Sequence, residues 1–170
     1  MFTIEPLSFN HRLSDFESGQ PALDGWLHNH ARREHEARQS RVMILSDDDA
    51  VIGFYAITPA IITADGLPRS ATRGFSVTPG WLIGRLAVAT AEQGRGIGVQ
   101  LLRHALDMIV SLSDKGAGRV IVVDPINRSA ADWYLKYGFK SIGVASDGSA
   151  PRPKMFLRVD QVLQARAAPP

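Results

Sequence analysis

The sequence predicts an α/β fold in which a mixed sheet is covered by helices, and three observations carry that expectation. Trp81 to Val88 is apolar and β-capable apart from Gly84 and Arg85. It leads through Gln93-Gly94-Arg95-Gly96-Ile97-Gly98 into a segment apolar at Leu101, Leu102, Ala105, Ile109 and Leu112, which is helical spacing. Arg119 to Asp124 has the composition of a buried strand and precedes a helical stretch from Asn127 to Tyr137. Val42 to Ser46 and Ala50 to Thr58 flank Asp47-Asp48-Asp49 as the arms of a hairpin. Strands that alternate with helices in this way build a sheet with helical cover.

The elements follow in order. Phe2 to Glu5 reads as an edge strand ended by Pro6, and Asp15 to Gln20 is turn-rich. A helix is expected from Pro21 to about Gln39, with Pro21 in its first turn and Leu23, Trp26, Leu27 and Ala31 as its apolar stripe. Its end is basic: Arg32, Arg33, Arg38 and then Arg41, with His28, His30 and His35 between them. That face is either solvated and balanced by Glu34 and Glu36 or a surface for an anionic partner. Residues 61–78 read as a long loop carrying Arg69 and Arg73, with a short strand at Phe75 to Val77. In the second helical stretch, Ser129 and Asp132 form a capping box and Gly138 suits the position after the helix. Ser141 to Ala145 and Lys154 to Val159 are expected as closing strands, joined by a loop through Gly148, Pro151 and Pro153. Asp160 to Arg166 adds a final helical turn. One domain over residues 1–166 and a frayed tail at 167–170 are expected.

Composition narrows the class. The chain has 170 residues, 45% hydrophobic and 21% charged, the balance of a soluble globular protein. With no cysteine it can form no disulfide, no thiolate metal site and no cysteine nucleophile. No apolar run approaches a membrane span and no export signal opens the chain, so a cytoplasmic location is expected. Asp47-Asp48-Asp49 has no second acidic cluster or histidine pair to complete a metal site, and no metal is expected. A net charge of +2 is too small to identify a nucleic-acid partner by itself.

Strand, glycine-rich turn and helix together form a recurring phosphate site, in which converging main-chain N–H groups and the helix dipole face the anion. Here Arg95 can add a charge at the rim. The spacing is neither Gly-x-x-x-x-Gly-Lys-Ser/Thr nor GxGxxG, and a turn without a ligand is the alternative. Asn127, at a helix start, can offer its amide to a ligand, and Tyr134 can present a phenol. Trp133, Tyr134, Tyr137 and Phe139 are otherwise core aromatics.

Taken together, Arg85-Leu86-Ala87-Val88, Gln93-Gly94-Arg95-Gly96-Ile97-Gly98 and Asn127…Ala130…Tyr134…Gly138-Phe139 resemble the GNAT N-acetyltransferase superfamily. The resemblance implies acetyl-coenzyme A as cofactor and a central sheet splayed where it binds. The pyrophosphate would sit on the N–H groups of Gly94, Arg95, Gly96, Ile97, Gly98 and Val99, and Gln93 at the head of the turn would belong to the same cofactor site. The pantetheine would pair with the backbone of Leu86, Ala87 and Val88, Asn127 would contact the cofactor, and Tyr134 would protonate the departing thiolate. A phenol with a reference pKa near 10 stays protonated at neutral pH and can make that transfer.

The pattern Phe16-x-x-Gly19-x-Pro21-Ala22-Leu23-Asp24-x-Trp26-Leu27, followed by a basic helix end, is similar to the bacterial GNAT toxins of toxin–antitoxin pairs. Those enzymes acetylate aminoacyl-tRNA, which stops translation, and their usual partner is a ribbon-helix-helix antitoxin. A homodimer is one assembly the chain could form. Relatives often carry an Asp just after the central strand, where this chain has Ala89-Thr90.

From Trp81 to Ala91 there is no carboxylate to serve as general base. A lysine amine is only on the order of 0.1% neutral at pH 7.4, whereas an α-amine is roughly 30% neutral and needs no base. The missing base therefore favours an α-amine acceptor, which the resemblance implies is that of aminoacyl-tRNA, with Arg32, Arg33, Arg38, Arg41, Arg69, Arg73 and Arg85 as candidate contacts. Asp65 in the 61–78 loop is a base that would reopen the choice. The alternatives are an acetyltransferase of a small amine or peptide N-terminus and a catalytically silent binding module.

Overall fold

The computed structural model describes residues 2–143 and 154–168. The strands among these are β1 (Thr3–Pro6), β2 (Arg41–Asp47), β3 (Ala50–Thr63), β4 (Val77–Val88), β5 (Val120–Val123), β6 (Lys140–Ser141) and β7 (Met155–Arg158). The helices are α1 (Pro21–Asn29), α2 (Ala31–Glu36), α3 (Arg69–Thr72), α4 (Ile97–Lys115), α5 (Arg128–Leu135) and α6 (Val159–Ala167). The sheet is open and mixed, in the order β1-β2-β3-β4-β5-β7-β6. The β1–β2, β2–β3, β5–β7 and β6–β7 pairs are antiparallel, and β4–β5 is parallel. A parallel pair requires a crossover connection, and α4 supplies it. The mixed sheet with helical cover and the edge position of the first strand are as the sequence predicts.

The chain divides into two compact units, Met1–Thr58 with Gly84–Ala105, and Pro59–Ile83 with Leu106–Pro170. In the first, Phe54 and Tyr55 of β3, Ile44 of β2, Leu27 of α1 and Leu101 and Leu102 of α4 are fully buried. Phe54 takes the Trp26 indole stacked at 6.0 Å and the Phe16 ring edge-on at 5.4 Å. A Cβ at Gly53 would lie 2.9 Å from both the Ala87 carbonyl oxygen and Leu101 Cδ1, so only glycine lets β3 approach so closely. In the second unit all four residues of β5 are buried, as befits a strand covered on both faces. Ala71, Val120, Val122 and Phe156 form a core there, with Ile62, Leu67, Leu82 and Ile142 packed around it.

Several expectations are corrected. The first helix is two helices, because the backbone turns at His30 (φ −126°, ψ −29°), although His30 still donates to the Trp26 carbonyl. The second helix ends at Glu36 and Arg38 is left-handed (φ 57°), so neither Arg38 nor Arg41 lies on a helix. β3 extends past Pro59 to Thr63 and β4 begins at Val77, which shortens the 61–78 loop and leaves α3 inside it. The cap of α5 is Asn127, whose Oδ1 accepts from the Ala130 N–H at 2.8 Å, rather than the Ser129–Asp132 box. Gly138 has the positive φ (90°) expected after the helix. Residues 144 and 145 of the first closing strand, and the loop through Gly148, Pro151 and Pro153, lie outside the described residues. Ala167 is the last residue of α6, not part of a tail.

Candidate active site

The glycine turn belongs to the first unit. Thr90–Glu92 forms one 3-10 turn, Gln93 is extended, and Gly94 (φ 78°) and Gly96 (φ 79°) adopt left-handed backbone that other residues reach only with strain. A Cβ built on either glycine meets no atom within 4 Å. Packing therefore does not demand these glycines. The backbone conformation does, and the space before it is open to a ligand. α4 begins at Ile97, directly after the turn, which aims its first N–H groups and its dipole there.

The turn is held by residues that the sequence presents as a motif without a stated purpose. The Gln93 side-chain amide donates to the Ser18 carbonyl (2.8 Å) and the Val88 carbonyl (3.0 Å). The Thr90 N–H and hydroxyl both donate to the Glu17 carbonyl. The Ser18 N–H in turn donates to Asp24 Oδ1 at 3.0 Å on α1, and His28 Nε2 meets the Phe16 carbonyl at 2.9 Å. The Phe16…Asp24 pattern is thus the brace of the turn. Gln93 holds the turn in shape through its side chain, and Arg95 is ion-paired with Glu92.

β4 supplies the other half of the first unit's site. Its register with β5 runs from Gly80–Val120 to Ile83–Val123, and β4 continues through Leu86, Ala87 and Val88. Arg85 lies over the Trp26 indole, its Cζ 4.2 Å from the ring centroid. The indole N–H donates to Glu34 Oε1 at 3.0 Å, and the Ser40 hydroxyl donates to Glu34 Oε2 at 3.2 Å. Burial lowers the pKa of Arg85, and the Glu34 charge works in the opposite direction. Glu34 is the carboxylate that sequence reasoning treated only as a counter-charge. Its spacing of eight residues from Trp26 gave no sign of the contact.

The candidate arginines divide sharply. Arg32 donates to the carbonyls of Ser8 (2.7 Å) and His11 (2.6 Å), so its charge is anchored to the fold rather than free to swing toward a partner. Arg33, Arg38 and Arg41 are in the first unit, Arg38 and Arg41 exposed and Arg33 lining a shallow concavity beside His30 and Glu34. His35 Nδ1 accepts from the Val42 N–H at 3.0 Å, and its pKa is lowered by burial first and by the Arg41 charge second, against Glu36. In the second unit Arg69 opens α3 and Arg73 follows it in left-handed conformation (φ 55°); both are exposed. Arg119, which sequence reasoning missed, ties α3 to β5 by donating to the carbonyls of Ala71 (2.6 Å) and Ser70 (3.2 Å). Asp65 is exposed in the same loop.

Tyr134 lies on α5 of the second unit and is 8% exposed. Trp133 and Phe139 meet its ring edge-on at 5.0 and 5.2 Å. Burial pushes its phenol well above the ordinary value, so at neutral pH it is a proton donor and not a phenolate. Asn127 caps the same helix, which commits its Oδ1 and leaves its N–H₂ available.

A positive-φ glycine turn between strand and helix, with open space before it, defines a protein built to bind a phosphate-bearing cofactor. Residues 38–141 match the family model described as acetyltransferase (GNAT) domain. The chain belongs to the GNAT acetyltransferases: it is an N-acetyltransferase, and acetyl-CoA is its donor. It is 33% identical over 129 residues to a tRNA-acetylating toxin of Mycobacterium tuberculosis, covering 75% of this chain and 78% of that protein. It is 29% identical to the probable toxin TacT of Sinorhizobium fredii, over 92% of this chain and 88% of the relative. Among solved structures it superposes on AtaT complexed with acetyl-methionyl-tRNAfMet with a TM-score of 0.86, 25% identity, and coverage of 98% and 99% of the two chains.

Proposed function

We propose that this N-acetyltransferase is a toxin that acetylates the α-amine of aminoacyl-tRNA and so blocks translation. The single observation that carries the reading is the absence of a carboxylate along β4: Val77–Val88 holds none, and Glu92, the next along the chain, is ion-paired with Arg95. An acceptor that must lose a proton to a protein base is poorly served by such a strand, and an α-amine is well served. The 33% identity to a protein named tRNA-acetylating toxin supports the same acceptor.

The residues fit the cofactor. The N–H groups of Gly94 to Val99 would hold its pyrophosphate, the space at Gly94 and Gly96 being open, and Arg95, paired with Glu92 in this structure, would add its charge at the rim. The backbone of Leu86 to Val88 pairs with the pantetheine, although the Val88 carbonyl already accepts from Gln93. When bound, acetyl-CoA would supply an activated thioester carbonyl as the electrophile for the neutral amine. Asn127 would offer its amide to the cofactor, and Tyr134, kept protonated by burial, would give its proton to the leaving sulfur and be reprotonated through solvent, which takes the proton shed by the acylated nitrogen.

Arg33, Arg38, Arg41, Arg69, Arg73 and Arg85 are the tRNA contacts in this reading; Arg32 acts through the fold. An antitoxin of the ribbon-helix-helix type is the protein partner, and the reaction takes place in the cytoplasm, where aminoacyl-tRNA is. Exposed Ile61, Phe75 and Val77 in the second unit support pairing of two copies.

The test compares aminoacyl-tRNA with free amino acid and a lysine peptide as acceptors. Aminoacyl-tRNA is expected to be acetylated far better. Its KM should rise with salt at a slope of about 0.7 to 0.9 in log units per phosphate neutralised. Equal activity on a free small amine, with a KM indifferent to salt, would falsify the tRNA reading.

A further inference from the structure

Arg32 is pinned to two carbonyls, and its place there points to a separate feature. Its guanidinium stands 5.8 Å from the ring of Phe9, the most exposed large apolar side chain among the described residues at 83%. Ser8 and Asn10, which flank Phe9 in the chain, are exposed and polar. Arg32 also lines a cleft of about 500 Å³ with Arg12, His28 and Asn29. Arg12 is exposed and held only loosely by Asp15 at 3.9 Å.

We propose that Phe9 and this cleft bind an unpaired nucleotide, the base stacking on the Phe9 ring and the adjacent phosphate meeting Arg12. The inference deepens the tRNA reading above and rests on it for the source of that nucleotide. A lone aromatic ring among cations and polar groups is what an unpaired base requires. Every base has a face to stack, and the flanking charge follows its backbone. An apolar protein surface would instead need neighbouring apolar area, and Ser8 and Asn10 give none. Arg32 prepares the platform. Its two carbonyl bonds fix the turn that carries Phe9, and its charge backs one face of the ring while the other stays open.

The experiment uses the whole protein and two probes: a labelled single-stranded oligoadenylate of about 12 nucleotides, within the usual site size, and a blunt RNA duplex of equal length. Anisotropy titrations should show the single strand binding more tightly. Phe9→Ala should weaken that binding about 5- to 100-fold, the range for removal of one stacking platform, and Phe9→Trp should preserve it. The duplex should be affected far less, and Phe9→Ala should raise the KM for aminoacyl-tRNA. The proposal is overturned if Phe9→Ala or Phe9→Leu binds the single strand like wild type, or if the duplex weakens equally. Wild-type acetylation of aminoacyl-tRNA, measured in parallel, separates the two readings. Acetylation with Phe9-independent RNA binding overturns the cleft alone. Phe9-dependent binding without acetylation supports the cleft and overturns the tRNA acceptor.

Discussion

The Arg85 guanidinium rests over the face of the Trp26 indole, Cζ to centroid 4.2 Å, and through that ring a residue of the central strand is fixed by α1 and α2. The opposite edge of the arrangement is equally fixed, because the indole N–H is held by Glu34. No hydrogen bond from Arg85 itself is found among the described residues, so its N–H fork stays available at a set position. Positioned charge of this kind costs a ligand little ordering entropy.

Arg85→Lys keeps the charge and removes both the planar fork and the stack. We expect a stability loss of about 0.5–1 kcal/mol, a raised KM for aminoacyl-tRNA, and an unchanged thermal shift with acetyl-CoA. Trp26→Phe leaves Glu34 without its indole donor and should cost about 1–3 kcal/mol in denaturant unfolding. A lysine variant with wild-type KM would make Arg85 a packing residue only.

Gly96→Glu places a side chain and a negative charge where the pyrophosphate is received, on backbone of φ 79°. Acetyl-CoA raises the melting temperature of the wild type because it binds the folded state, and the variant should lose that shift. Gly96→Ala separates the two effects: it carries the backbone strain, about 1–2 kcal/mol, but leaves the anion site largely open. If the glutamate variant retains the full shift, the pyrophosphate lies elsewhere.

His35 predicts a pH dependence. Its neutral Nδ1 accepts from the Val42 N–H, and burial with the Arg41 charge holds its folded pKa below the ordinary 6.5. The unfolded chain therefore binds the proton more readily. Stability from this interaction is complete above pH 6.5 and declines as pH falls through 6.5 toward the lowered folded pKa. Denaturant unfolding of wild type and His35→Gln across about pH 5 to 8 should converge on the acid side. Parallel curves would remove His35 as the source.

Neutralising Arg33→Gln and Arg38→Asn tests the basic surface without disturbing the fold. Neither side chain is buried, and asparagine tolerates the left-handed conformation of Arg38 (φ 57°). The salt slope of tRNA binding should flatten by about 0.7 to 0.9 for each phosphate that is no longer neutralised, with acetyl-CoA binding intact. An unchanged slope would move the tRNA surface to the second unit's Arg69 and Arg73.

What was legible in the sequence were residues whose type is dictated by backbone geometry or by burial. Gly94, Gly96 and Gly138 take positive φ, and the alternation of apolar segments yields the mixed sheet with helical cover, though not its strand order. What a charged side chain touches was not legible. Arg32 and Arg33 are adjacent and identical in type, yet one is bound to the carbonyls of Ser8 and His11 and the other borders an open concavity. Helix ends were also ambiguous, since Asn127 and Ser129 are both good caps and only the hydrogen bond from Ala130 decides between them. The strand expected to end at Thr58 continues through Pro59 to Thr63, over Ile61, Ile62 and Thr63, whose β-branched side chains favour extended backbone.

Tyr134→Phe removes one oxygen from a ring packed by Trp133 and Phe139, so fold and acetyl-CoA affinity should stay close to wild type. If the phenol protonates the leaving sulfur, single-turnover acetylation should fall roughly 10²-fold or more, the range for removal of a general acid. The pH profile supplies a readout that packing alone would not move. Burial raises the phenol's pKa, so loss of the donor by ionisation lies above the ordinary value near 10. The wild-type rate should accordingly rise as the acceptor α-amine deprotonates near pH 7.8 and show no fall from Tyr134 ionisation up to about pH 10. A phenylalanine variant with undiminished single-turnover rate would leave Tyr134 a core aromatic and shift the proton transfer to solvent.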